Sequence, residues 1–580
     1  MSEINRGEFG NVLSRRKATT GVTTETSDHT TKNKNIKDAK EGTVPNFPGD
    51  FELLKLELTS PNREGSINLK TNWSDFNIYE DMFSNCLTGS ITMTDGVGFM
   101  ESLPIVGEET IRIHVRTRGF KRERSGEKNL GPFGDSENDG IIDLSFRVYK
   151  INNIVKLNEG LTMFTLHLIS EEYILNLKTK IRKSWDRPTR ISTMVKELYQ
   201  QFFMRGRPLA KKIFIEPTLN LTNLIIPNYA PFKAFNFLSK RAISSGQHAV
   251  GSNFVFYETV KGFFFVSLET LMSGGGTGYA AGEGSAETPN EGSGFIYTKP
   301  EQPVKEVYTV QPKTMNKFGN VNKNVALELV AVDSYKFTSN FDVIENLRNG
   351  MYANRLLTHD LVRMKWDTLD FNYVNPENLD KKVKVLSDTG GTEVQEVAAQ
   401  AKDAKNFFDT FTHLGEGQLC SVDQDALGSP EGHTIFFPTN FAHEERFKQD
   451  LGSQGVKGTV KGDLNIISNK VEQWMQSRLV QEQEQQNIKL NIRAPGMSTR
   501  SIGDLIEFKL PTTDLEDRGA EVASTGHTYL SGYYLITKLR HHFTSEKYEI
   551  DFEAIKDALH TSVGIETSAA DSPRAVSGDR

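Results

Sequence analysis

A chain of 580 residues with 37% hydrophobic side chains can bury several cores, about three to five domains at roughly 100–200 residues each. Its net charge of −7 argues against a dedicated nucleic-acid binder, which needs a clearly basic surface. Two distant cysteines, Cys86 and Cys420, exclude a disulfide framework; with no CxxC or Cys/His cluster they exclude a cysteine zinc site and point to a reducing cytosol.

The opening, MSEINRGEFGNVLSRRK, has no apolar stretch and predicts no secretory leader. Residues 1–48 are polar and nearly empty of large apolar side chains, which predicts a flexible arm. From Phe51 the pattern turns to short strands, and the 36 Phe favour that reading. FELLKLELTS alternates loosely. The segment from Asn77 reads as an acidic aromatic turn. In Cys86–Thr94, Leu87, Gly89, Ile91 and Met93 share one face. Asp95-Gly96 predicts a turn, and Phe99, Met100 and Leu103 a single helical turn stopped by Pro104. Strands follow with Ile111, Ile113 and Val115 inward, then over Ile142–Ile151 and Leu161–Ile169. Residues 49–178 therefore predict an antiparallel sheet or barrel with one helix against it.

An α+β insert is expected over 179–319. After Pro188, the residues Ile191, Met194, Val195, Leu198, Tyr199, Phe202 and Phe203 keep helical spacing. Pro231 opens a second helix carrying Phe235, Leu238 and Ala242. A hairpin turned at Lys261-Gly262 comes next. Its run Gly262–Leu271 is the most apolar, far short of the ~18 residues that span a bilayer. No stable membrane insertion is expected, and the chain reads as a soluble intracellular product. The Gly-rich stretch 273–295 predicts a mobile loop.

Beyond it, strand character returns at Val325–Val332, and helices are expected over Asp342–Leu357, interrupted by Gly350, and over Val471–Gln486, the latter with Gln and Glu on its outer face. Residues 376–464 form a polar insertion with a short helix at Glu393–Phe408. Closing strands are expected at Ile488–Ile492, Asp504–Leu510, Tyr533–Leu539 and Tyr548–Phe552, before a flexible tail, 561–580. The fold class is α+β and β-rich, with a second barrel from 320–375 plus 465–560.

No catalytic, cofactor-binding or metal-binding residue emerges. Gly276-x-Gly278-x-x-Ala281 has no helix pattern after it, so it does not make a dinucleotide site, and GxxxxGK[ST] is absent. His443-Glu444-Glu445 continues as Arg446-Phe447 and lacks the second His of a zincin. Cys420 and His433 are two residue types in a Gly/Asp-rich loop, a common coincidence. His541-His542 in one strand point to opposite faces and cannot chelate one metal. Acidic pairs suited to glycoside hydrolysis are not excluded by counting. The basic runs Arg112–Lys128 and Lys178–Arg190, with Trp185, read better as solvated or salt-bridged faces than as a phosphate-backbone contact.

The stretch FNIYEDMFSNCLTGSITMTDGVGFMESLPIVGEETIRI resembles the first barrel of the central baseplate hub proteins of contractile-tailed, T-even-like phages. The matching residues are Ile78-Tyr79-Glu80-Asp81, Leu87-Thr88-Gly89-Ser90-Ile91, Asp95, Leu103-Pro104-Ile105 and Gly107-Glu108-Glu109. Pro227-Asn228-Tyr229-Ala230-Pro231-Phe232, followed by the Phe-rich hairpin, is similar to the insert of these hubs. Gly350-Met351-Tyr352 with Thr358-His359-Asp360 resembles their second-barrel helix region. GDLIEFKLP and YLSGYYLITKLRHHFTSEKYEIDFEAI look like their closing strands, also seen in type VI secretion spike hubs. Together these cover about half the chain.

The resemblance implies two tail-tube-like antiparallel β-barrels with α+β inserts. It implies a homotrimer whose six barrels adapt a three-fold spike protein below to the six-fold tail tube, or a tube initiator, above. It further implies a virion baseplate location after assembly in the host cytoplasm, with DNA met only by passage through the lumen. The arm 1–48, the loop 119–140, the Gly-rich loop and the 376–464 insertion depart from the pattern, and are expected to meet wedge proteins or the tape measure. An alternative gives the 376–464 insertion a cell-wall hydrolase activity.

Overall fold

The computed structural model describes residues 47–560 with breaks, the longest over 118–140, 273–294, 310–330, 397–411, 440–470 and 511–526. Seven strands come first: β1 Phe51–Thr59, β2 Ser66–Asn68, β3 Trp73–Asp81, β4 Thr88–Asp95, β5 Thr110–Thr117, β6 Ile141–Asn158 and β7 Leu161–Ser170. In β4 and β5, buried and half-covered residues alternate as the sequence pattern requires. The expected acidic aromatic turn is instead β3. Phe76 and Ile78 point into the core there, and the chain turns only after Asp81, whose carboxylate accepts from the Phe83 amide at 2.9 Å. Strand β6 runs past its expected end to Asn158, through Asn153 at φ +52°. The helical turn expected at Phe99–Leu103 and the loop 119–140 fall outside the described residues, except for residue 140's neighbour Ile141, which opens β6.

Helix α1, Glu171–Lys178, which the sequence pattern did not announce, follows β7 and precedes the expected insert. Short strands β8 Ile181–Ser184 and β9 Thr189–Arg190 lead to α2, Ile191–Tyr199. A π-helical turn, Gln200–Met204, continues α2 and carries Phe203 into the core. Strands β10 Ile213–Ile215, β11 Leu221–Thr222 and β12 Ile225–Tyr229 precede α3, Pro231–Ser239, which begins on the expected proline. The hairpin β13 Phe254–Thr259 and β14 Gly262–Ser267 turns at Val260-Lys261, one residue earlier than expected, with Gly262 opening β14 at φ +144°. A short α4, Leu268–Met272, and β15, Phe295–Ile296, follow. The insert sheet runs β13-β14-β10-β15. Its core is aromatic: Phe235 stacks on Phe256 at 4.4 Å, Phe256 on Phe263 at 5.5 Å and Phe203 on Phe232 at 5.7 Å.

Farther along come β16 Glu306–Thr309 and β17 Ser334–Ser339. The strand expected over 325–332 lies mostly outside the described residues. The expected helix over 342–357 stops early. Asp342 caps α5, Val343–Arg348, by accepting from the Glu345 amide at 3.0 Å. Gly350, at φ +76°, then ends it, and β18, Ala353–Asp360, takes over. Strand β18 lies between β19, Lys365–Asn372, and a parallel β22, Thr434–Thr439. Strands β20, Lys384–Leu386, and β21, Val394–Glu396, pair with each other, so the start of the helix expected at 393–408 is a strand. Helix α6, Val471–Asn487, is present as expected, but Gln476, Gln481, Gln483, Glu484 and Gln485 are buried rather than outward. The closing strands β23 Ile488–Pro495, β24 Leu505–Lys509, β25 Gly532–Thr544 and β26 Tyr548–Lys556 stand where the alternation puts them.

One sheet of thirteen strands unites the two ends of the chain, in the order β17-β23-β26-β25-β3-β4-β7-β6-β5-β1-β2, with β24 on β25 and β16 on β24. The fold is thus β-rich α+β, as expected. Strand β25 is the seam. With β26 along one edge, its other edge takes β24 at Gly532–Leu535 and then β3 at Lys538–Thr544. The stack Phe76–Phe543–Tyr548, at 4.3 Å and 4.1 Å, fills the core there.

Candidate functional site

Distant segments of the described chain meet through three buried polar joints. At the seam, Glu80 of β3 is almost fully buried. Its carboxylate meets His541 Nε2 at 2.9 Å and accepts from the Ser501 hydroxyl at 2.9 Å and the Ile502 amide at 3.2 Å. The other ring nitrogen of His541 lies 2.6 Å from the Tyr548 hydroxyl. Tyr548 is itself clamped: its amide donates to the Gly49 carbonyl, and a Cβ on Gly496 would fall 2.2 Å from its ring. A buried carboxylate with every oxygen engaged fixes orientation more than it adds stability.

The second joint ties the first strands to the insert. Glu258 of β13 accepts from the Leu87 amide and the Ser170 hydroxyl, each at 2.9 Å, and pairs with Lys211. Burial disfavours the Lys211 ammonium, but Glu258 and Glu172 outweigh it and hold Lys211 above its ordinary pKa. Cys86 sits beside this joint. Burial, then the charge of Glu258, pushes its thiol up to about 12, so it is an inert buried thiol.

The third joint surrounds α6. Asn253 of the insert donates to Gln481 at 2.7 Å, Asn349 to Gln483 at 3.0 Å, Asn346 to Asn487 at 2.7 Å and the Tyr373 hydroxyl to Glu484 at 2.6 Å. Gln476 donates to the Leu369 carbonyl at 2.9 Å. His413 stands 3.0 Å from Asp557 and 3.9 Å from Glu484. Burial raises the Glu484 carboxyl to about 7; His413 works against that shift and Asp557 adds to it.

The residues weighed in the sequence fall as follows. Arg112 pairs with Asp143 at 2.8 Å and Arg116 with Glu52 at 2.7 Å. Lys183 pairs with Glu197 at 2.6 Å, and Trp185, 8% exposed, donates to the same carboxylate. Trp185 is therefore packing, not a stacking platform for bases. His541 and His542 do point apart, the first to Glu80 and the second to Asp75 at 2.7 Å. His433 meets the Arg348 carbonyl at 3.1 Å. Cys420, His443 and the Gly276–Ala281 stretch lie outside the described residues. Among the described residues no group of three or more His, Cys, Asp or Glu is arranged to hold a metal ion, and no helix is long and apolar enough to cross a membrane.

Sequence reasoning missed the three joints, because each consists of polar residues scattered over distant segments. It also missed the exposed apolar clusters: Tyr149, Ile154, Val155 and Leu157 toward the tip of the β6–β7 hairpin; Phe341, Val343, Ile344 and Leu347 on and beside α5; and Trp366 with Phe436 on β19 and β22.

No protein-family model matches the sequence, and no curated protein matches it. Solved structures do. The fold is similar to phage tail proteins. A tail protein from Neisseria meningitidis matches over 87% of this chain and 96% of its own, with a TM-score of 0.41 and 7% identity. The 43 kDa tail protein of a Shewanella oneidensis prophage matches over 87% and 99%, with a TM-score of 0.39 and 7% identity. An E. coli component of the type VI secretion system matches over 87% and 76%, with a TM-score of 0.33 and 8% identity.

Proposed function

We propose that this chain is a structural subunit of a contractile-phage tail baseplate: a trimeric central hub that adapts a three-fold cell-puncturing spike to the six-fold tail tube. The observation that carries the reading is where the hub-like sequence lies. Its residues Ile78–Asp81 lie in β3 and Thr88–Ile91 in β4, with Leu87 just before it, and Glu80 is buried at the seam where the early and late strands join. The signature residues thus hold two β-units together in one chain, and three such chains offer six units to a six-fold tube.

In this reading, 49–178 and 320–375 plus 465–560 are two tube-like barrels and 179–319 is their insert. The spike protein binds below, the tube or its initiator above, and the segments 1–48 and 376–464 reach wedge or tape-measure proteins. DNA meets the chain only in the lumen, and the chain works without catalysis. Light scattering on a sizing column tests the central claim: a trimer of about three times 65.1 kDa is expected, and a dimer or tetramer overturns the three-fold hub. Zymography on peptidoglycan tests the rest, since a cleared band would reopen the hydrolase reading of 376–464.

A further inference from the structure

The second joint holds an amine against a carboxyl away from water. The Glu258 side chain is fully buried and that of Lys211 is 18% exposed. Lys211 Nζ rests directly on Glu258 Oε1, one covalent bond from the carboxyl carbon Cδ. Both partners are held from behind. The Tyr199 hydroxyl donates to the Lys211 carbonyl at 2.6 Å, and Glu258 stands opposite Phe263 in the β13–β14 hairpin.

Each oxygen of the Glu258 carboxyl has a neighbour suited to one part of an acyl transfer. Oε2 accepts from the Leu87 amide at 2.9 Å, a backbone donor placed where negative charge gathers when the carbon is attacked. Oε1 lies 2.9 Å from the Ser170 hydroxyl, which stands 2.6 Å from Glu172 Oε2. Glu172 Oε2 is in turn 3.5 Å from Lys211 Nζ. Nitrogen, Glu172, Ser170 and Oε1 therefore close a ring along which a proton can pass. Burial raises the Glu258 carboxyl and works against the Lys211 ammonium, although the two carboxylates keep Lys211 above its ordinary pKa. Desolvation thus narrows the gap between the ion pair and its neutral amine and acid forms.

We infer that Lys211 and Glu258 condense into an amide, an isopeptide cross-link between their side chains. The ammonium first gives one proton to Oε1. The free amine attacks Cδ, the N–C bond forms, and the charge collects on Oε2 against the Leu87 amide. Glu172 takes a second proton from the nitrogen and, through Ser170, delivers it to Oε1. The Cδ–Oε1 bond then breaks, Oε1 leaves as water, and Glu172 is back in its starting form. No oxidant or activating group is consumed. Holding the two groups in contact replaces a bimolecular encounter, and a site that excludes water disfavours the reverse hydrolysis. The link closes a loop from Lys211 to Glu258 that contains β10, β11, β12 and α3, and constrains the unfolded chain as a disulfide does. It does not depend on the hub reading.

Mass spectrometry of the full chain tests the link. The wild type is expected to be lighter than its sequence requires by one water, and its tryptic digest to hold a branched peptide joining Lys211 to Glu258. Lys211→Arg keeps the positive charge and is expected at full mass, with a circular dichroism melt to check that it folds. The wild-type digest decides the case even if that variant does not fold. Glu172→Gln is expected to form the link about a hundredfold more slowly, read as the linked fraction against time after a pulse of labelled synthesis. A folded wild type whose Lys211 and Glu258 peptides are separate and at full mass overturns the link, as does a water lost at any other position instead. A folded Glu172→Gln chain that links at the wild-type rate overturns the proton path.

Discussion

The insert core and the α6 joint are both buried, and they are built from opposite materials. In the insert, Phe203, Phe232, Phe235, Phe256 and Phe263 pack ring on ring. Around α6, a helix rich in Gln and Glu packs buried side chains against the amides of Asn253 and Asn349 and the Tyr373 hydroxyl, from three different parts of the chain. Aromatic packing is strong and weakly directional, with several kcal/mol in each large ring. Hydrogen bonds give about 1 kcal/mol net apiece, but they fail if a partner moves. The insert core therefore supplies stability, and the α6 joint sets where the parts stand relative to one another.

The sharpest way to break this contrast is Phe263→Ala, expected to cost about 3–5 kcal/mol and to lower the first urea or calorimetric transition of the protein. A conservative polar change such as Gln481→Asn is expected to stay within about 1 kcal/mol in the same assay. Glu80→Ala at the seam leaves His541, the Ser501 hydroxyl and the Ile502 amide without their shared acceptor, and is expected to cost about 3 kcal/mol. An undiminished midpoint would remove the seam from the account.

Glu484 sharpens the contrast through pH. Its folded-state pKa of about 7 lies above the ordinary 4.5, so the folded chain binds the extra proton. Its contribution is fully present below about pH 4.5, falls as pH rises and is gone above about pH 7. Glu484→Gln is expected to flatten that fall and to gain up to about 3 kcal/mol over wild type at pH 8, at about 1.4 kcal/mol per unit. Melts of both proteins from pH 4 to 8 read it directly. Smallest of all, Arg112→Gln removes a surface pair with Asp143, and a shift of less than about 1 kcal/mol is expected.

Strands with one wet face were legible, because alternation in β4, β5, β25 and β26 states which side is buried. Strand β3 was not. Its Asn77 and Glu80 are buried for hydrogen bonding, so its polar residues fall where the pattern expects apolar ones, and it reads as a turn. The break at Gly350 was legible, but helical spacing resumes beyond it, and only the left-handed glycine with strand β18 after it shows that the helix does not. The length of α6 was readable from its composition, but its burial was not, since a buried polar helix differs from a surface one only in its partners. The stretch around Ile78–Ile91 stood out as a string of residues. That it holds the seam became visible only once β3 lay beside β25.

The seam also sets a clock on synthesis. Glu80 and His541 are 461 positions apart, and at about 5–20 residues per second the interval between making them is roughly half a minute to a minute and a half. Throughout that time β3 has an open edge on the side that β25 will occupy, and Glu80 lacks its imidazole. An interrupted chain keeps that edge open, a row of unpaired backbone groups where β25 would lie.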